Sequence, residues 1–431
     1  MKEHEIMIVR DLAKKFKEIA VSNEMEERRR LWRCIKDLKM ERPMIHFEID
    51  FTDDYLLETE LECENQFLRY VERTLKGNIK HFYEVGDDVV LEPYFRLAWN
   101  LNSCQLADKR CEYGIELKMT HGIDNQGGHL GYTYDFPIHN PEDIKKLVKR
   151  EFYPNLDSNL ESKKILEDIF GDILEIKLEN YDNFFESTGY TPFVGNYFIG
   201  ITMDMYKYLG NNNLLYWIYD NPDALREFAQ FLTEDRIRFF NWLEEQKMIA
   251  PNSDNQFAGP GSYGYTTQLK QVNSKGDTKL SDLWVWAESQ ETHMISPEQF
   301  KNLFLPYIAE VCKKFGFVYY GCCETIEDRF EIVKKAIPNI RAVSVSGWNN
   351  FIKVGEILGK DYVYSRKPTP AYLSTSSLDW DLAKKDMELT YQGMKKGNCN
   401  TEIIFRDVYN ISGDHTRISK WVAMTKSIFG I

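Results

Sequence analysis

The last third of the chain alternates apolar strands with amphipathic helices, and this constrains the fold more than any other feature. FVYYGC (317–322) reads as a strand, and TIEDRFEIVKKAIP (325–338) as an amphipathic helix stopped by proline. The pattern repeats through IRAVSVS (340–346), NNFIKVGEIL (349–358), DYVYSR (361–366), LDWDLAKKDMELTYQGMKK (378–396), TEIIFRD (401–407) and DHTRISKWVAMTKSIF (414–429). Regular alternation predicts a parallel sheet, because parallel neighbours need a crossover, usually a helix. LWVWAES (283–289) and PEQFKNLFLPYIAEVCKKF (297–315) add another such unit. Earlier strand candidates lie at 44–49, 88–95, 173–178 and 193–199, and a long helix covers 223–248. So many strands without a sharp break predict an α/β fold, a closed (β/α)8 TIM barrel rather than an open sheet. Residues 41–431 form that single barrel in this reading. Residues 1–40 form an N-terminal helical arm with a cap at Ser22 or Asn23. Long inserted loops at 119–140 and 249–282 interrupt the barrel.

Charge and composition exclude several classes of function. The net charge of −13 disfavours a nucleic-acid partner, which needs a basic face. RRR (28–30) and KLVKR (146–150) read as solvated helix faces. No apolar run reaches the roughly 18 residues of a membrane span. The N-terminal residues are charged and amphipathic, unlike a secretory leader. Eight cysteines without secretory features predict free thiols and a cytoplasmic location. GPGSYGY (259–265) lacks the Lys-Ser/Thr of a phosphate loop and reads as a mobile active-site loop.

Barrel chemistry gathers at the C-terminal ends of strands. Those ends offer Glu92, then Glu288, Ser289, Gln290, Glu291 and His293, then Cys322, Cys323 and Glu324. Ser346 and Trp348, Arg366 and Lys367, and finally Asp407 follow. Each alone has an ordinary explanation: helix capping for Glu324 and Asp407, rim solvation for Arg366 and Lys367, core packing for the thiols. Together, thiols and carboxylates at one mouth predict a metal or acid–base site. Thiolate with carboxylate or imidazole is a zinc donor set. Adjacent cysteines seldom both hold one ion, so one ligand and one neighbour are expected. The candidate ligands are Cys322, Cys323 and Asp407, with Glu324 and Glu291 as acid–base groups. A nucleophilic cysteine would need a base, and His293, just beyond the strand at 283–289, is the candidate.

LW…LK…RPMI (31–45), YDNPDALREFAQFLTE (219–234) and ISPEQFKNLFLPYIAEV (295–311) resemble the uroporphyrinogen decarboxylase superfamily, over most of 30–430. The resemblance implies a (β/α)8 barrel and makes a homodimer reasonable. True decarboxylases resemble RPPVWFMRQAGR near the first strand, and their arginines hold a polycarboxylate. Here RPMIHFEIDF (42–51) has Ile49 in the second arginine's place, flanked by Glu48 and Asp50. Glu92 replaces the family's catalytic aspartate in this alignment. The chain is nearer the branch of zinc-dependent methyltransferases that serve corrinoid proteins. Members of that branch resemble His-x-Cys with a later Cys. Cys322 takes the first Cys position, Tyr320 that of the His, and Asp407 falls near the late Cys.

The resemblance therefore implies transfer of a methyl group from a small O-, N- or S-methyl compound to a corrinoid carried by a separate protein. No Asp-x-His-x-x-Gly corrinoid motif occurs in this chain. Trp348, Tyr263, Tyr265 and Trp286 are candidates to bind a methoxyarene or methylammonium group, with His293, Lys367 and Glu92 as further substrate contacts. The rivals are a decarboxylase or lyase using Arg366 and Lys367 as anion clamps, and a non-catalytic barrel that binds a corrinoid or small molecule.

Overall fold

The computed structural model describes residues 1–49, 52–99, 101–102, 113–123, 129–154, 156–181 and 197–431. It is an α/β structure built on a six-stranded parallel sheet. The strands are β1 (Met44–Phe47), β6 (Trp284–Ala287), β7 (Phe317–Tyr320), β8 (Ile340–Val345), β9 (Val363–Arg366) and β10 (Asn400–Phe405). Their order across the sheet is β1-β10-β9-β8-β7-β6, all parallel. Every residue of β10 is buried, as expected for a central parallel strand covered on both faces.

Both edges of the sheet continue. Asp88 N–H donates to Ile45 O at 2.8 Å, which brings Asp88 alongside β1. Strand β2 (Tyr94–Trp99) then pairs in parallel with β3 (Glu175–Tyr181). At the other edge Phe198 bridges Trp286 in parallel. Residues 193–196 of the expected strand at 193–199 lie outside the described residues. Residues 119–140, expected as loop, contain a β pair between Met119–Ile123 and His129–Tyr134. The expected helix over 297–315 is two helices meeting at Phe304, where Pro306 follows. No described helix is long and apolar enough to cross a membrane.

Residues 1–40 form helices α1 (Glu3–Ala20) and α2 (Asn23–Lys36), with Ser22 capping α2 through Met25 N–H. This segment closes the N-terminal end of the sheet. Trp32 is fully buried, and its indole donates to Asp88 O at 2.9 Å. Lys36 is fully buried and meets Glu402 at 2.6 Å. Each basic run is largely solvated, as expected, but buries one arginine. Arg29 is buried against Glu92 at 3.1 Å, and Arg150 against Asp235 at 2.5 Å.

Residues 252–266 fill the inner face of the sheet. The hairpin of β4 (Phe257–Gly259) and β5 (Ser262–Tyr263) carries GPGSYGY, every residue of which is buried. A core plug therefore stands where the sequence suggests a mobile active-site loop. Apolar and aromatic side chains, not phosphate-binding amides, are what this segment supplies. Tyr263 packs edge-on against Trp32 at 5.1 Å, and Trp284 Nε1 donates to Gly264 O at 2.8 Å. Gly259 is required by proximity: a Cβ there would lie 2.2 Å from the Tyr319 ring. Gly259→Ala is expected to destabilise the protein by about 1–3 kcal/mol, the cost of overpacking a core. A lowered urea midpoint at unchanged m-value would record it.

Candidate active site

Strand alternation decides which side chains reach the sheet's inner face. On β1 and just beyond it these are Met44, His46 and Glu48. On β10 and just beyond it they are Glu402, Ile404 and Arg406. Odd-numbered neighbours such as Ile45, Phe47, Ile403 and Phe405 pack instead into the outer core against the helices.

The GCCE turn leaves the end of β7 at Gly321, whose φ of +98° lies in the region that favours glycine. The turn is held by its neighbours. Trp286 Nε1 donates to Gly321 O at 3.0 Å, Ser344 Oγ to Cys322 O at 2.8 Å, and Ser346 Oγ to Cys323 O at 2.9 Å. Glu324 folds back into the interior and accepts from Cys322 N–H at 2.8 Å and Ser289 N–H at 2.9 Å. The Cys322 and Cys323 sulfurs lie 3.7 Å apart, one half-buried and the other exposed.

Two electrostatic regimes meet here. On one side are acids. Burial, reinforced by Glu291 and Glu324, raises the pKa of Glu288 well above the carboxylate range. Burial also raises Glu324, against three backbone amides that favour its ionised form. Thr202 joins the group by donating to Glu291 at 2.8 Å. On the other side is Arg406, whose Nε sits 3.1 Å from Glu48 and 3.2 Å from Asp407. The hydrogen bond from Cys322 lowers the pKa of Cys323, with help from Arg406, while the same bond and burial raise Cys322. Within the pair, Cys323 is the sulfur disposed to ionise and Cys322 the one disposed to keep its proton. Asp407 adopts φ +59°, an uncommon left-handed conformation for a non-glycine residue, next to this cluster.

The predicted residues divide by location. Cys322, Cys323, Glu324, Glu291 and Asp407 belong to this mouth. Trp348 and His293 follow strands at the same end, but both are exposed, Trp348 to 78%. Lys367 is buried, with Nζ 2.9 Å from Ser365 Oγ. Burial, opposed by Glu402 and aided by Arg406 and Lys36, brings its pKa down to about 7.

Glu92 needs correction: β2 begins at Tyr94, so Glu92 precedes the strand and lies at the opposite end, against Arg29 and Tyr265. Tyr263 and Tyr265 are correspondingly interior packing residues rather than mouth aromatics. Arg366 is no anion clamp. It is fully buried, with both Asp386 carboxylate oxygens at 2.7 Å. Tyr320 belongs to the outer core, its hydroxyl 2.8 Å from Ser289 Oγ.

Sequence reasoning missed Arg406 and the role of Glu288. Period-two alternation along TEIIFRD would have put Arg406 on the face of Glu402 and Ile404. It also missed a second group. His46, His81 and Asp87 are the set among the described residues whose three ligand atoms lie within 4.8 Å of one another, and they are compatible with zinc. Two surface clefts, one beside Phe152 and Trp242 and one beside Lys163 and Asp172, are remote from both groups in sequence and lining.

No family model and no curated protein matches the sequence. Among solved structures the chain is similar to a methyltransferase from Methanosarcina mazei, at 11% identity and a TM-score of 0.35. The likeness covers 64% of this chain and 65% of that one, so the chain spans slightly under two thirds of its length.

Proposed function

We propose that this chain is a methyltransferase with a (β/α)8 barrel. It demethylates a small O-, N- or S-methyl compound and delivers the methyl group to a corrinoid on a partner protein. The observation that carries this reading is the paired sulfurs of Cys322 and Cys323 at 3.7 Å beside the buried Glu324. Two zinc–sulfur bonds of about 2.3 Å at the tetrahedral angle place sulfurs about 3.8 Å apart, so the spacing fits a shared zinc. Cys322 and Cys323 would hold the ion, with Asp407, paired to Arg406 at 3.2 Å, as the candidate third ligand.

Zinc bound there supplies a Lewis acid for the heteroatom that must leave the methyl group. The chain's own residues do the rest. Arg406 favours the ionised form of the thiols. Glu324, whose pKa burial raises, is the group that delivers a proton to the departing oxygen or nitrogen. Buried Glu288, its pKa raised by burial and by Glu291 and Glu324, stands behind it. Exposed Trp348 and Met294, on loops beyond β8 and β6, offer apolar surface to an incoming corrinoid protein. The free cysteines suit a reducing cytoplasm, and two copies of the chain form the working enzyme.

The test pairs zinc analysis with methyl transfer. Purified wild-type protein is expected to hold one zinc more per chain than Cys322→Ser/Cys323→Ser. It is also expected to methylate cob(I)alamin from at least one of a methoxyarene, a methylamine and a methyl thioether. Equal zinc in the two proteins, with no transfer from any donor, would overturn the proposal.

A further inference from the structure

The geometry points to a second metal site, separate from the thiols, formed by His46, His81 and Asp87 for a divalent transition ion. His46 lies on the inner face of β1, His81 in the last turn of helix α3 (Gln66–Glu84), and Asp87 just before the segment that flanks β1. The three are between 0 and 4% exposed.

The contacts converge on one atom. Asp87 Oδ2 lies 2.9 Å from His81 Nε2 and 3.4 Å from His46 Nδ1, and it accepts Phe47 N–H at 2.7 Å. Both ring nitrogens therefore face one carboxylate oxygen that already accepts a backbone amide, and neutral rings presenting lone pairs there would surround an ion with two nitrogens and an oxygen. Metal–nitrogen and metal–oxygen bonds of about 2.1 Å at the tetrahedral angle put ligand atoms about 3.4 Å apart. Tyr263 Oη also lies 3.5 Å from His46 Nδ1. The carboxylate is oriented independently, since Val89 N–H donates to its Oδ1 at 3.1 Å.

Two imidazoles and a carboxylate are a donor set for zinc or iron(II). Closure on all sides makes the site structural. It ties β1, α3 and the plug hairpin to one centre, two residues before Glu48 and its contact with Arg406.

Cobalt(II) tests this on the full chain. After chelator treatment, Cys322→Ser/Cys323→Ser is expected to take up one cobalt(II) per chain. The spectrum should have visible d–d bands but no near-ultraviolet thiolate charge-transfer band. Adding His81→Gln, which can still hydrogen-bond Asp87, should abolish uptake at unchanged circular dichroism. Should that variant misfold, His46→Gln serves as the second arm. No cobalt bound by the double cysteine variant, or full binding after His81→Gln, would overturn the inference. Metal content of the protein as purified separates zinc from iron.

Discussion

Lys36→Met is expected to destabilise the fold by about 3–5 kcal/mol, the penalty for stranding a buried charge. Lys36 and Glu402 are both fully buried at 2.6 Å, and Ser262 Oγ bonds each at 2.6 Å. Burial works against the charge on Glu402, but Lys36 and Lys367 outweigh it and keep its pKa below the ordinary value. Removing Lys36 therefore leaves a buried carboxylate with the Ser262 hydroxyl and, as counter-charge, Lys367 beyond ion-pair distance. The double variant Lys36→Met/Glu402→Leu should recover most of the loss, because paired buried charges are often replaceable by apolar groups. Chemical denaturation of the four proteins of this cycle measures it. A single variant as stable as wild type would show that the pair carries no such charge.

Glu324→Gln is expected to lower turnover in methyl transfer by about 100- to 1000-fold, within the range of general acid catalysis. Zinc content should stay unchanged, because glutamine keeps the shape and its one carbonyl oxygen can still accept a backbone amide. The pH profile supplies the readout that a packing role would not move. Burial raises the pKa of Glu324, and the protonated form is the active one. Wild-type activity should fall as pH rises through that elevated pKa. The variant should lose this alkaline limb. A variant with wild-type turnover would remove Glu324 from the chemistry.

The βα alternation after 283 was legible because parallel strands buried on both faces leave long apolar runs with clear helical punctuation. The mouth cluster was legible for the same reason: strand ends could be counted, so GCCE and Asp407 were found. The plug was not. Glycine and tyrosine in GPGSYGY resemble a flexible loop in composition, and only the approach of Gly259 to Tyr319 reveals why small residues are needed. Glu92 was misplaced because Val89, Val90 and Leu91 look like strand, although Trp32 and the arm bury them and pairing begins at Tyr94. The histidine–aspartate group joins a strand, a helix and a turn separated by up to 41 residues, so no spacing motif announces it.

The pairing of β1 with β10 also sets the order of events in folding. Lys36 and Glu402 are 366 residues apart in sequence, and Met44 lies beside Glu402 in register. The first strand therefore waits for nearly the whole polypeptide to be synthesised before its neighbour exists. Contacts of such long sequence separation slow folding and prolong exposure of unpaired strand edges. A nascent chain stopped before residue 400 would lack both the partner of β1 and the counter-charge of Lys36. Such a chain should be a substrate for chaperones rather than an independently folding fragment.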